Sequence, residues 1–427
     1  MKKKFAIYGG DKTLKNSFKN YNTIGNEEIK AVTKVLKSGK LSPFLGDWGK
    51  IENIGNFYGG DNVNKFEEKI KKFFNVRHAI TVNSWTSGLI VAVGSLDIEP
   101  GDEIIVSTWT MSATVIAIIN WLAIPVFCDV DPMTYNIDAN LIEKKITKKT
   151  KAIMITDIFG QSCDIDKINK IAKKYKLKVI ADSAQSITSK YKQKYTGTLT
   201  DIGGFSLNYH KQIQTGEGGV VITNDDKLAF RMQLIRNHGE VVVSKKRIKN
   251  INNIIGYNFR MGEIEAAIGI EQLKKVNKII RSNVKKAKFL KDNLSNLDGL
   301  IMPYTESFNS HVYYYFAMQI NKKIIKSSRD AIFNALKFEG VPVFKNYTLV
   351  HQLPMYKRKI AYGKNNFPWS LSNKKFINNQ IKCPNAEYLN NQTYLAIPMC
   401  NYDYSQKELK LIVSAFKKVW KYFIKFK

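Results

Sequence analysis

Lys211 sits within residues 205–223, "FSLNYHKQIQTGEGGVVIT", between a short apolar run and the turn formed by Gly216, Glu217, Gly218 and Gly219. A lysine amine, with an ordinary pKa of roughly 10.4, is a poor nucleophile until it is desolvated or given a cationic neighbour. On a strand-to-turn segment facing the mouth of a sheet, it becomes able to hold an aldehyde as a Schiff base. Asp182 ends the apolar run "KVIA", and a carboxylate at a buried strand end is expensive without a partner, so a cation is expected to meet it. Thr86, Ser87 and Gly88 open a helix after "TVNS", where free backbone N–H groups flanked by hydroxyls form an anion site. Each of these has an ordinary reading alone: a solvated lysine, a strand-end Asp or cap for "SAQS", and Ser and Thr helix caps. Together they are an anion cradle, a carboxylate awaiting a cation and an amine able to attack an aldehyde. Pyridoxal 5'-phosphate carries the matching phosphate, protonatable ring nitrogen and aldehyde, and the carboxylate would keep its ring protonated as an electron sink.

The elements that must position these residues are legible from about residue 78 to 225. "HAITVNS", "DEIIVS", "IPVFCDV", "KAIMITDI" and "KVIAD" read as strands. Helices fall between them over 86–96, over 113–122 and from Asp164, where Ile165, Ile168, Ile171, Ala172 and Tyr175 recur at helical spacing. Strands alternating with helices predict right-handed crossovers and a mostly parallel sheet, an α/β core whose ligands collect at the carboxyl ends of the strands. A long basic helical segment over 263–290 then leads to a smaller α+β unit. There "VYYYFAMQI" and "VPVF" read as strands, "SSRDAIFNALKFEG" as a helix, and Ser405 with Glu408 as the capping box of a last helix. The expected division is a large domain over 1–285, with an N-terminal arm, and a small C-terminal domain over 286–427.

A chain of 427 residues, 44% of them hydrophobic, exceeds one comfortable core and is not disordered. Its start, "MKKKFAIYGGDK", has too short an apolar run for a signal peptide. The apolar stretch over 115–128 is broken by Asn120 and Pro125 and is too short for a membrane span. Cys128, Cys163, Cys383 and Cys400 form no CxxC pair and have no local His partner, which argues against a zinc site or a disulfide framework. A cytoplasmic protein without membrane insertion is expected. The net charge of +31 raises nucleic acid as a partner. Only 8 of the 67 basic residues are Arg, the side chain suited to forked phosphate contacts, and the lysines are spread among Asn and Ile. That favours solvated faces, with no nucleic-acid partner.

Nearly the whole chain resembles the DegT/DnrJ/EryC1/StrS aminotransferases, from "YGGDNVNKFEEKI" through "GDEIIVSTWTMSAT", "VIADSAQSI" and "FSLNYHKQIQTGEGG" to "GYNFRMGEIEAAIGIEQL". These are fold-type I pyridoxal phosphate enzymes that mostly aminate keto sugars carried on nucleotides. The resemblance implies a large domain with a mostly parallel sheet flanked by helices and a smaller C-terminal α+β domain. It implies that Lys211 bonds the cofactor and then moves a proton as general base and acid, that Asp182 pairs with the ring nitrogen, and that Gln185 lies near the ring hydroxyl. Thr86, Ser87 and Ser206 would hold the phosphate. Asn258 is similar to an asparagine that reaches the phosphate from the neighbouring subunit, which implies a homodimer.

The family stacks an aromatic ring on the cofactor after the "GDEII" strand. Here Met111 takes that place, with Trp109 two residues earlier, and in an extended segment both face the same way. Some members replace the lysine with histidine and remove a sugar hydroxyl; counting back from Glu217 aligns Lys211, not His210, with that position. His351, in "LVHQLPMY", resembles a stretch near the substrate, beside an equal reading as a structural histidine; His78, His238 and His311 read as structural. The implied reaction takes an amino group from glutamate, leaving 2-oxoglutarate, and gives it to a nucleotide-linked 4-keto-6-deoxyhexose for a surface polysaccharide or glycoside. The alternatives are a 3-dehydratase, a keto-cyclitol aminotransferase, which the start "AIYGGDKTL" faintly resembles, and a silent binding module. Intact Lys211, Asp182 and "GEGG" argue against the last.

Overall fold

Strands that are apolar along their whole length need cover on both faces, and this chain supplies it with helices. The computed structural model describes residues 5–52, 54–372 and 381–426. Helices α1 (Asn26–Ser38) and α2 (Asp61–Phe74) precede a seven-stranded sheet. Its strands are β1 (His78–Val82), β2 (Glu103–Ser107), β3 (Ile124–Cys128), β4 (Thr150–Thr156), β5 (Lys178–Asp182), β6 (Ile202–Ser206) and β7 (Gly219–Thr223). They lie in the order β1-β7-β6-β5-β4-β2-β3. Strands β2 to β6 pair in parallel, and β7 alone runs against its neighbours β6 and β1. The carboxyl ends of all the others therefore open along one edge.

Successive residues of a strand point to opposite faces, and the sheet uses both. Ile104, Val106, Met154 and Ile180 pack on one side with helices α3 (Trp85–Gly94), α4 (Ser112–Asn120) and α6 (Asp226–Arg236). Ile105, Ile153, Val179 and Ala181 pack on the other with α5 (Ile165–Tyr175). The two expected helices over 86–96 and 113–122 are thus present, each beginning one residue early and ending two residues early.

Helix α7 (Glu263–Leu294) contributes Ala266, Ile270 and Leu273 to a core beside α2, and Ala287, Leu290 and Leu294 to a second core. The expected division at 285/286 falls inside this helix. The second core is built on an antiparallel three-stranded sheet of β8 (Leu300–Ile301), β9 (Tyr315–Ile320) and β10 (Tyr394–Pro398), covered by α8 (Arg329–Phe338) and α9 (Gln406–Tyr422). The expected strand "VPVF" is not one. Pro342 has no N–H to give a ladder, and Val343 N turns back to Val341 O at 2.9 Å, so only an isolated bridge from Phe344 to Ala396 remains. Among the described residues no helix is long and apolar enough to cross a membrane.

The capping box of α9 is formed: Ser405 Oγ accepts from Glu408 N at 3.3 Å, and Glu408 Oε2 accepts from Ser405 N at 2.7 Å. Ser405→Ala is expected to cost about 1 kcal/mol. Urea unfolding reads this directly, and an unchanged midpoint would show that packing alone holds the helix end.

Candidate active site

The strand ends bring the expected residues to one edge. Asp182 closes β5, Ser206 closes β6, and β1 runs into the loop that opens α3. Gly219, the first residue of β7, pairs with Ser206 on one side and Val82 on the other, so Ser206 lies across it from the α3 loop. A Cβ on Gly219 would sit 2.8 Å from Trp85 Cα. Only glycine lets that loop lie on the strand. Within the loop Ser84 Oγ caps the helix by accepting from Ser87 N at 3.1 Å, and Ser87 Oγ donates to Asn83 Oδ1 at 2.7 Å. Thr86 is half-buried beside them.

Asp182 is 3% exposed, and neutral donors rather than a salt bridge satisfy it among the described residues. Its Oδ1 accepts from Trp85 Nε1 at 2.7 Å and Ala184 N at 3.2 Å, and its Oδ2 from Thr114 Oγ1 at 2.6 Å. Behind Thr114 the hydroxyls of Thr110 and Thr156 continue the chain at 2.7 and 2.9 Å. A carboxylate oxygen accepts about two hydrogen bonds, so Oδ2 keeps one acceptor position open.

Lys211 is 8% exposed. Its Nζ lies 3.4 Å from Tyr314 Oη and 4.5 Å from the centre of that ring, a cation–π contact. Burial pulls the amine down to about 8, with Asp182 and Cys400 drawing it partly back up. His210 is lowered to about 4, by burial first and then by Lys211. Gln185 joins the same cluster: its backbone O accepts from Gln212 Nε2 at 2.7 Å, its Oε1 from Phe159 N at 2.9 Å, and its Nε2 donates to Tyr347 Oη at 3.1 Å.

Trp109 and Met111 separate from each other. Trp109 is wholly buried, stacked on Tyr347 with centroids 5.8 Å apart and rings 14° from parallel. Met111 is 59% exposed, its Sδ accepting from Ala113 N at 3.0 Å. The two therefore do not share one environment, because the chain enters α4 at Ser112. His351 is buried with Nδ1 on Thr108 Oγ1 and Nε2 3.0 Å from Glu387 Oε1, so both ring nitrogens are taken within the fold. Asn258 accepts from Arg260 Nε at 2.7 Å and lines a cleft of about 390 Å³ with Asn83, Glu217 and Arg260.

Sequence reasoning missed Trp85, Thr114 and Tyr314, which touch Asp182 and Lys211 from other elements. The signal for Trp85 was there: an indole between Ser84 and Thr86, in a loop read as an anion cradle. The donor set fits the three-part cofactor. An open acceptor position on Asp182, a desolvated amine and the N-terminal turn of α3 with the hydroxyls of Thr86 and Ser87 match its ring nitrogen, aldehyde and phosphate.

The model of the DegT/DnrJ/EryC1/StrS aminotransferase family matches residues 22–394. A GDP-perosamine synthase of Escherichia coli O157:H7 is 37% identical over 70% of this chain and 80% of its own. The spore coat polysaccharide biosynthesis protein SpsC of Bacillus subtilis (strain 168) is 32% identical over 81% of this chain and 86% of its own. In three dimensions the chain superposes on Helicobacter pylori PseC, an aminotransferase involved in the biosynthesis of pseudoaminic acid. That match has a TM-score of 0.79 and 25% identity, covering 96% of this chain and all of PseC.

Proposed function

Because this chain belongs to the DegT/DnrJ/EryC1/StrS aminotransferase family, we propose that it moves an amino group from glutamate to a nucleotide-linked keto sugar, a 4-keto-6-deoxyhexose. The observation that carries this reading is the buried Lys211 amine in the loop that follows β6, the strand paired with β5, which ends at Asp182. An amine titrating near neutral pH can both take and return a proton. The relatives' names, a perosamine synthase and a spore coat polysaccharide protein, support a nucleotide sugar as acceptor and a surface polysaccharide or glycoside as destination.

Pyridoxal 5'-phosphate, when bound, supplies an aldehyde for the amino group and a ring that draws electrons from the reacting carbon. The chain supplies the rest. Lys211 Nζ would hold the cofactor at rest and would then take and return the proton. Asp182 Oδ2 would accept from the ring nitrogen, and Gln185 would lie beside the ring hydroxyl. Thr86, Ser87 and Ser206 would hold the phosphate at the N-terminus of α3. Met111, exposed where Trp109 is not, would be the residue free to cover the ring. Asn258 would reach the site of a second copy in a homodimer, and His351, its ring held by Thr108 and Glu387, would lie near the substrate. A cytoplasmic setting suits four buried, unpaired cysteines.

Purified protein with the cofactor, glutamate and a panel of nucleotide-linked keto sugars, followed by mass detection, tests the reading. An aminated sugar formed together with 2-oxoglutarate is expected. A product that has lost a hydroxyl without gaining nitrogen would move the enzyme to dehydration, and 2-oxoglutarate released with no sugar aminated would move it to another acceptor.

A further inference from the structure

Trp85 follows β1, and Asp182 ends β5, which lies three places along the sheet in the order β1-β7-β6-β5. A side chain joining them must pass over β7 and β6, where ordinary side chains stand up from the sheet. Both crossings are glycine. At Gly219 of β7 a Cβ would fall 2.8 Å from Trp85 Cα; at Gly204 of β6 it would fall 2.3 Å from Cη2 and 2.4 Å from Cζ3 of the indole. Gly88, one turn along α3, leaves the same room at 2.7 Å from Cε3. Gly204 is also the register partner of Asp182, so the slot leads to the carboxylate.

Core packing alone explains a buried indole but not where its N–H points. Trp121 and Trp420 donate to main-chain carbonyls, of Ile90 and Asp298. Trp85 instead donates to Asp182 Oδ1 at 2.7 Å. With Ala184 N at 3.2 Å on the same oxygen, Oδ1 is saturated, and the open position belongs to Oδ2.

We infer that Trp85 is a positioning residue: its indole N–H fixes the Asp182 carboxylate so that Oδ2 alone is presented to the cofactor ring nitrogen. This rests on the proposed pairing of Asp182 with that nitrogen. A lost hydrogen bond to a charged group should release the carboxylate to rotate, loosening the cofactor without unfolding the chain.

The test is a double-mutant cycle with Trp85→Phe, Asp182→Asn and both. It is read by the equilibrium dissociation constant of pyridoxal phosphate and by the pH at which the bound cofactor's visible band changes. Trp85→Phe is expected to weaken binding about ten-fold and shift the spectral titration with Asp182 present, and to add little once Asp182 is Asn. An equal loss in both backgrounds would make Trp85 a packing residue only and overturn the inference. Should the Phe variant fail to fold, benzothienylalanine at position 85 replaces the N–H by sulfur with the shape kept; the same ten-fold loss is expected, and wild-type binding would overturn it. If Asp182→Asn binds as wild type, the pairing of Asp182 itself fails; if Asp182→Asn weakens binding and Trp85→Phe does not, only the role of Trp85 fails.

Discussion

Replacing Lys211 by methionine is expected to lower turnover by about 1000-fold or more and, at the same time, to make the cofactor-free protein more stable at neutral pH. The first effect follows from losing the general acid and base. The second follows from the buried amine, which the folded protein lowers from 10.5 to about 8 because burial disfavours the cation. At pH 7 about a tenth of such an amine is neutral, against about 3 in 10,000 of an ordinary lysine, so burial readies it to capture an aldehyde. With the folded value below the unfolded one, the unfolded chain binds the extra proton between about 8 and 10.5. Stability therefore rises with pH across that window, and below it the penalty is fully present. The shift corresponds to about 3 kcal/mol. Methionine, of similar length and uncharged, removes that penalty. Urea unfolding of both proteins at pH 7 and near pH 10.5 should show the variant ahead by a few kcal/mol and the gap closing as pH rises. No advantage at pH 7 would mean that the amine is solvated, and the mechanism would lose its base.

Local spacing exposed the residues that end strands and open helices. Asp182, Ser87 and Lys211 were readable because each follows an apolar run at the edge where parallel strands finish. What local spacing does not encode is which strand lies beside which. The reversed β7 between β1 and β6 is what sets Ser206 across Gly219 from the α3 loop, and no residue within β7 states that order. The same gap hid Trp85 and Thr114, which reach Asp182 from elements 97 and 68 residues away in sequence. The sequence reading expected Asp182 to need a cation; the fold answers with an indole, a hydroxyl and a backbone N–H, leaving one lone pair open. His351 was chosen by likeness, and its two ring partners, Thr108 just after β2 and Glu387 in the C-terminal part, meet only in the fold, which spacing does not reveal. "VPVF" shows the opposite failure, where apolar composition outweighed a proline that cannot donate.

Arg236→Met is expected to destabilise the protein by about 3 to 5 kcal/mol, the usual result of stranding a buried charge. Arg236 is wholly buried at the end of α6. Its Nη1 donates to Glu67 Oε1 at 2.7 Å and to Thr81 O at 3.0 Å, and its guanidinium lies 5.0 Å from the Phe44 ring centre. Glu67 Oε1 also accepts from Thr81 N and Oγ1, each at 2.8 Å. The pair thus grips β1 one residue before Val82, where the strand turns into the α3 loop. From the other side Arg236 O accepts from Phe259 N at 3.0 Å, and Phe259 O accepts from Asn83 N at 2.9 Å. Glu67→Gln in the Arg236→Met background removes the stranded charge yet keeps an amide oxygen for Thr81, so it should recover most of the loss. Equal urea midpoints for the single and double variants would show that the damage comes from lost packing rather than from the charge. Arg236→Met should also weaken cofactor binding, and the double variant should regain part of that affinity, because residue 67 still holds Thr81 beside the loop of Ser84, Thr86 and Ser87.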